Sequence, residues 1–368
     1  MIGIRADANK IIATGHVMRC ITIAREIIAL GEAVTFFVAD EESRDLIAGY
    51  AGDLEACEVV VLGSSYDHME DELPALGKEL MARNVDVLLV DSYFVTHRYF
   101  EEIGKICQVV YMDDLGKEPY PVDILINYSG YYKALGYEAL YQDMKGHKGS
   151  PTRLLLGLEY APLRRQFYES TAKGEASEAD DRLHVLLTAG GADMHGMLLA
   201  TLKAAENAGL LAAQFTWEVV VGSLVGDADA IDALAGNYSN IRIHRSVTNM
   251  ADLMRSCDIA IAAAGTMLTE CAAIHLPAIF YQVADNQKFN VEFWQTNGGM
   301  IFAGDVTSAN QDGSGKETTL ENICAFLNDI KVNISRLDDM KSALSGLTDG
   351  RGAIKIAKEL ISMEEEAK

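Results

Sequence analysis

The residues best suited to chemistry gather in a few short segments. The first is Ala13-Thr14-Gly15-His16-Val17-Met18-Arg19-Cys20. Val17, Ile21, Ala24 and Ile28 recur as one helix face, so a helix opens here with His16 near its start. The positive end of a helix dipole disfavours an imidazolium. A ring held there stays neutral near pH ~7 and can take a proton from water as a general base. The simpler reading of the same histidine is a polar residue closing a loop. Gly15 lets a ligand approach the backbone. Arg19, one turn on, suits a carboxylate or phosphate, or an ion pair within the chain.

Three later segments carry residues of the kind that hold a nucleotide. In Thr188-Ala189-Gly190-Gly191-Ala192-Asp193 a strand runs into paired glycines and then a helix. That pattern fits either a close approach to phosphate at a helix start or a tight turn with Asp193 as N-cap. In Ala263-Ala264-Gly265-Thr266-Met267-Leu268-Thr269-Glu270 a strand of small residues ends at Gly265 and a helix begins near Thr266. First-turn N–H groups suit a diphosphate. Glu270 either answers the dipole or accepts both hydroxyls of a ribose. In Val283-Ala284-Asp285-Asn286-Gln287, Asp285 is placed to cap a helix, and Asn286 and Gln287 offer donors and acceptors to a sugar or phosphate edge. The sequence has no HExxH, Cys/His cluster or EF-hand loop, and no GxSxG elbow. Neither a metal, another cofactor nor a serine triad is expected, and Asp113-Asp114 is expected to find local partners.

The elements that must position these residues alternate. Met1 to Ala6, Ala33 to Val38, Val59 to Leu62, Val85 to Asp91, Val109 to Asp113, Ile124 to Asn127 and Leu154 to Leu156 read as strands. Asp40 to Tyr50 and Met69 to Ala82 read as helices between them. A polar stretch without bulky apolar residues, 170–181, reads as a linker. The alternation then restarts, with strands at Leu183 to Thr188, Phe215 to Val221, Ile241 to Ile243, Ile259 to Ala263, Ala278 to Tyr281 and Met300 to Phe302. Met197 to Ala208, Leu320 to Ile330, Ile334 to Leu344 and Ala353 to Met363 read as helices. This predicts α/β architecture: two doubly wound, Rossmann-like domains at 1–170 and 182–350 facing a cleft, and a C-terminal helix at 351–368.

A net charge of −23 over 368 residues argues against nucleic acid or an anionic membrane as partner, since both need a basic face. Six cysteines without a CxxC pair suggest free thiols in a reducing compartment. The chain opens without a secretory signal, and no apolar run approaches the ~20 residues of a membrane span, so a cytoplasmic protein is expected.

Arg5-Ala6-Asp7-Ala8 followed by Thr14-Gly15-His16-Val17-Met18-Arg19-Cys20 resembles the start of the UDP-2,4-diacetamido-2,4,6-trideoxy-β-L-altropyranose hydrolases of pseudaminic acid biosynthesis, relatives of spore-coat polysaccharide proteins. Asp91-Ser92-Tyr93, Met112-Asp113-Asp114-Leu115, Leu155 to Arg164, the glycine pair, Gly265-Thr266 with Glu270, and Asp285-Asn286-Gln287 follow in that family's order. The glycine and Glu motifs are shared with GT-B glycosyltransferases. The resemblance implies a GT-B fold with UDP held mainly by the C-terminal domain, and a UDP-sugar as ligand. It implies His16 as the base that activates water, Tyr93 as a second catalytic residue close to the sugar and the reacting water, and Glu270 on the uridine ribose with Gly265 and Thr266 near the diphosphate. Arg5, Asp7, Gly15, Arg19, Gly190, Gly191, Asn286 and Gln287 are further substrate-binding candidates. The chain departs from the family at Ala13, where Gly is usual, and at Asn127-Tyr128, where Asp-Gln is usual. The alternatives to a hydrolase are a GT-B glycosyltransferase and a non-catalytic nucleotide-sugar-binding protein.

Overall fold

The computed structural model describes residues 1–9, 14–169, 182–211, 214–297, 299–307 and 314–367. Ala13 and the expected linker 170–181 lie outside them. The chain divides into two units, Met1–Arg164 with Arg351–Lys368, and Arg165–Gly350.

The first unit is built on β1 (Ile2–Ala6), β2 (Val34–Val38), β3 (Cys57–Val61), β4 (Val87–Asp91), β5 (Gln108–Met112), β6 (Ile124–Asn127) and β7 (Arg153–Leu156). The intervening helices are α1 (Gly15–Ala29), α2 (Glu41–Ala51), α3 (Leu73–Ala82), α4 (His97–Ile103) and the short α5 (Tyr132–Leu135) and α6 (Tyr137–Leu140). The strands pair in parallel in the order β3-β2-β1-β4-β5-β6-β7. All residues of β1, β2 and β4 are buried, as apolar runs in a sheet covered on both faces must be. The helix expected over Met69 to Ala82 is split: Met69–Glu72 forms a 3-10 turn and α3 starts at Leu73. Pro74 accounts for this, because proline lacks the N–H a helix interior needs but fits its first turn.

The second unit holds β8 (Leu183–Thr188), β9 (Phe215–Val220), β10 (Ile241–His244), β11 (Ile259–Ala263), β12 (Ala278–Gln282) and β13 (Ile301–Asp305). Its helices are α7 (Met197–Asn207), α8 (Ala228–Ala235), α9 (Met250–Arg255), α10 (Met267–Ala273), α11 (Lys288–Asn297), α12 (Ser314–Val332) and α13 (Ser335–Leu344). The strands again pair in parallel, in the order β10-β9-β8-β11-β12-β13.

The terminal helix α14 (Gly352–Ala367) is part of the first unit, not a separate piece. Ala353, Ile356, Ala357, Leu360 and Met363 recur on one face and share a core with Val17, Ile21 and Ala24 of α1. Its start lies so close to the chain that a Cβ at Gly352 would stand 2.2 Å from the carbonyl oxygen of Ala161. The second unit begins earlier than expected. Gln166 accepts from the Ala251 amide at 3.1 Å and, through its carbonyl, from Arg255 Nη2 at 2.8 Å, which ties 165–167 to α9.

Both sheets are doubly wound, so strand order reverses once in each: between β1 and β4, and between β8 and β11. Loops leaving the carboxyl ends of those strands diverge to opposite faces and leave a crevice, where open α/β sheets bind ligands.

Candidate active site

At the first reversal point α1 begins with Thr14 as N-cap and no side chain capping it, and His16 is its second residue. β1 and β4 are neighbours, so the start of α1 meets the end of β4, and His16 Nδ1 lies 2.6 Å from Asp91 Oδ1. The Asp91 side chain is wholly buried. Burial opposes its charge, but Arg19 and His16 outweigh burial and hold the carboxyl at about 2. With Nδ1 assigned as the donor to that ionised oxygen, Nε2 of the neutral ring presents the lone pair. Nε2 makes no hydrogen bond to the described residues.

Arg19 and Tyr93 complete this group. Arg19 forms a two-point pair with Asp91, Nε to Oδ2 and Nη2 to Oδ1, each at 2.5 Å. Its Nη1 donates to the Tyr128 hydroxyl at 2.6 Å and lies 3.4 Å from Asp114 Oδ2. Tyr93 sets its ring edge-on to His16, with centroids 4.6 Å apart, and donates its hydroxyl to Asp114 Oδ2 at 2.9 Å. Burial, reinforced by Asp114, pushes the Tyr93 phenol above its ordinary range, so it remains a neutral donor. Tyr93 is 45 % exposed, and neighbouring Phe94 stacks edge-on with Tyr66, which puts aromatic rings past the carboxyl end of β4. Among the described residues, a Cβ at Gly15 would meet nothing within 4 Å.

Arg5 and Asp7, expected to face a substrate, do not. Arg5 is completely buried, with Nε and Nη2 each 2.7 Å from the two oxygens of Glu72 and Nη1 2.5 Å from Asp7 Oδ2. Asp7 Oδ1 accepts from the Ala39 amide at 2.7 Å, while Tyr99 and Ser64 donate to Glu72 at 2.7 and 2.9 Å. Burial works against the Arg5 charge, yet Asp7 and Glu72 more than offset it and raise the guanidinium above its ordinary range. The reason is positional. Arg5 lies inside a strand covered on both faces, where a charge persists only if paired. Asp113 likewise has local partners, accepting from the amides of Leu115 and Gly116 and from Tyr137.

In the second unit the glycine loops flank the other reversal point. Gly190 adopts φ +75°, a conformation open to glycine, and a Cβ at Gly190, Gly191 or Gly265 would meet nothing within 4 Å. Asp193 caps α7 from both oxygens, accepting from the Met197 and Leu198 amides at 2.7 and 2.8 Å. Those two amides are therefore closed to an outside anion, although the N-cap residue itself is Gly196 and not Asp193 as expected. Asp193→Ala is expected to cost about 1–2 kcal/mol, read as a lower midpoint in urea unfolding, with Asp193→Asn costing less.

Gly265 turns its N–H back onto Ala263 O at 2.7 Å, and Thr266 is the N-cap residue of α10, with Glu270 in or just past the first turn. Asn286 is exposed, and Gln287 folds back so that its Oε1 accepts from the Val283 amide at 2.9 Å. Asp285 does not cap α11, because Asp285–Gln287 is itself a 3-10 turn ahead of Lys288. Three residues missed in the sequence stitch these loops together. Asn290 donates to Ala264 O at 2.9 Å, His195 Nε2 to Val283 O at 3.1 Å, and Lys316 to His195 O at 2.5 Å. Asp91, Asp114 and Tyr128 were also absent from the candidate set. The available signal was that Asp91 and Asp114 sit at or just past strand ends.

Among the described residues no group of three or more His, Cys, Asp or Glu is arranged to hold a metal ion, and no helix is long and apolar enough to cross a membrane.

No family model matches the chain. An uncharacterized protein of Methanocaldococcus jannaschii, MJ1062, is 22% identical over 290 residues, which is 76% of this chain but 54% of that protein, so the chain spans about half the length of this relative. Among solved structures, Acinetobacter baumannii MurG aligns with a TM-score of 0.66 at 12% identity, covering 98% of this chain and 99% of its own. Neisseria meningitidis UDP-GlcNAc 2-epimerase bound to UDP-GlcNAc aligns at 0.64 and 14%, covering 98% and 100%. TcCGT1 in complex with UDP aligns at 0.62 and 11%, covering 98% and 99%. The fold is therefore GT-B-like, with two parallel Rossmann-like sheets of seven and six strands.

Proposed function

We propose that this chain is an enzyme that hydrolyses a UDP-linked deoxy-acetamido sugar at its anomeric C–O bond, with inversion and without a metal, for nonulosonic acid or surface polysaccharide synthesis. The observation that carries the reading is the Asp91–His16 pair, with Nδ1 tied to a buried carboxylate and Nε2 without a hydrogen bond among the described residues. A histidine oriented in this way is a base for water. His16 takes a proton from water, the oxygen attacks the anomeric carbon from the side opposite UDP, and the C1–O bond breaks through an oxocarbenium-like state. In the second unit, backbone N–H groups of the Gly190–Gly191 turn are the candidates to hold the diphosphate of UDP, the Gly265 N–H being taken by Ala263 O. The UDP and UDP-GlcNAc held by fold neighbours support a uridine nucleotide as the ligand.

Incubating the protein with UDP-deoxy-acetamido sugars in oxygen-18 water and no acceptor tests this. Label in the free sugar supports C–O cleavage by water. Label in UDP instead means attack at phosphorus, and release of sugar only when an acceptor is supplied means a glycosyltransferase. That second reading is favoured by a fold neighbour such as the rhamnosyltransferase SpnG, since the same base can deprotonate an acceptor hydroxyl. Tight UDP binding with no turnover of any sugar would leave a binding protein.

Glu270 as the ribose acceptor gives a separate expected result. Glu270→Ala should weaken UDP by ~10–100-fold, the range for hydrogen bonds to a charged group. Calorimetry with UDP and 2′-deoxy-UDP checks it: the wild type should discriminate between them and the variant should not.

A further inference from the structure

We infer that Arg19 is a positioning residue for His16, clamping Asp91 so that one carboxylate oxygen faces Nδ1, the proton stays on Nδ1 and Nε2 remains the acceptor. This deepens the reading of His16 as a base and rests on it. It also replaces the expectation that Arg19 contacts substrate.

Each nitrogen of the Arg19 guanidinium is already engaged. Nε and Nη2 span the two Asp91 oxygens, and Nη1 donates to Tyr128, whose ring also lies 5.4 Å from Cζ. The side chain is 12 % exposed, so a phosphate would have to displace Tyr128 or Asp91 to reach it. Spacing along α1 explains the arrangement. Residues three apart on a helix lie on one face, so His16 and Arg19 meet the same carboxylate. Nη2 also lies 2.9 Å from His16 Nδ1, within reach of its second hydrogen, but the shorter 2.6 Å contact to the ionised Asp91 Oδ1 assigns the Nδ1 proton to that carboxylate. Arg19 thus acts on the imidazole through Asp91. Without the clamp, the carboxylate keeps, among the described residues, His16 and the weak Cys20 thiol, 3.6 Å from Oδ2, and is free to rotate. A planar guanidinium can fix both oxygens at once, which a lysine ammonium cannot.

The test uses the full chain labelled with nitrogen-15 histidine, with His16→Gln assigning the His16 signals. In the wild type, at a pH where the ring is neutral, His16 should show the Nδ1–H form. Arg19→Gln should show a mixture with the Nε2–H form, and so should Arg19→Lys, which keeps the charge and is the variant expected to fold if the first does not. With the UDP-sugar substrate, kcat should fall about 10–100-fold in either variant, while KM and the Kd for UDP change less than about twofold. A lysine variant with wild-type spectrum and kcat would overturn the inference. So would a variant that weakens UDP tenfold or more at unchanged kcat, because Arg19 would then be a substrate ligand. The spectrum needs no substrate. If no UDP-sugar is turned over, the hydrolase reading fails by itself and the tautomer still decides the role of Arg19.

Discussion

His16→Ala should lower turnover of the UDP-sugar by ~10²–10⁴-fold, the usual contribution of a general base, while the Kd for UDP stays within about twofold. The asymmetry follows from where the residues lie. His16 belongs to the first unit, and the glycine turns and Glu270 belong to the second. Asp91→Asn sharpens the experiment. An asparagine amide facing Nδ1 can donate to it and so favours the Nε2–H form, which cannot accept a proton at the nitrogen left open. Its effect should approach that of His16→Ala. The double variant should be little worse than either single one, because the two residues act as a unit. Steady-state rates with UDP calorimetry alongside decide it. Undiminished turnover in His16→Ala rejects the histidine as the base.

The second large effect concerns stability. Arg5→Ala leaves the buried carboxylates of Asp7 and Glu72 without the guanidinium that both of them pair with. Removing one partner of a buried ion pair costs about 3–5 kcal/mol, which lowers the melting transition of the first unit by roughly 10 °C. Adding Glu72→Gln should recover part of the loss, since it neutralises the carboxylate that Arg5 meets at two points. Calorimetry of the two variants checks both statements. An unchanged transition in Arg5→Ala would return Arg5 to the pool of residues free for a ligand.

Part of this site was legible in the chain. Apolar periodicity located α1 and put His16 in its first turn. The helix read over Asp40 to Tyr50 forms as α2, Glu41–Ala51. Strand, glycine pair and helix follow each other at 183–207 as expected. All of these are local, set by backbone propensity and by which residues tolerate a turn or satisfy an open amide. Arg5 misled because alternation in a parallel strand does not reveal a polar residue that is buried and paired. Glu72, its main partner, lies 67 residues away.

By itself the sequence determined the alternation of strands and helices, their approximate bounds, the positions of the glycine turns and the start of α1 close to His16. The tertiary structure alone decided which strand ends meet. Parallel strands are joined through crossovers, so a strand's neighbours in the sheet are set by how whole layers pack. Placing β4 beside β1 carries Asp91 across 75 residues to His16, and turns Arg19 from a free cation into a clamp. The same packing folds α14 back against α1. Periodicity showed that this helix had an apolar face, but the residues that cover it lie at the other end of the chain.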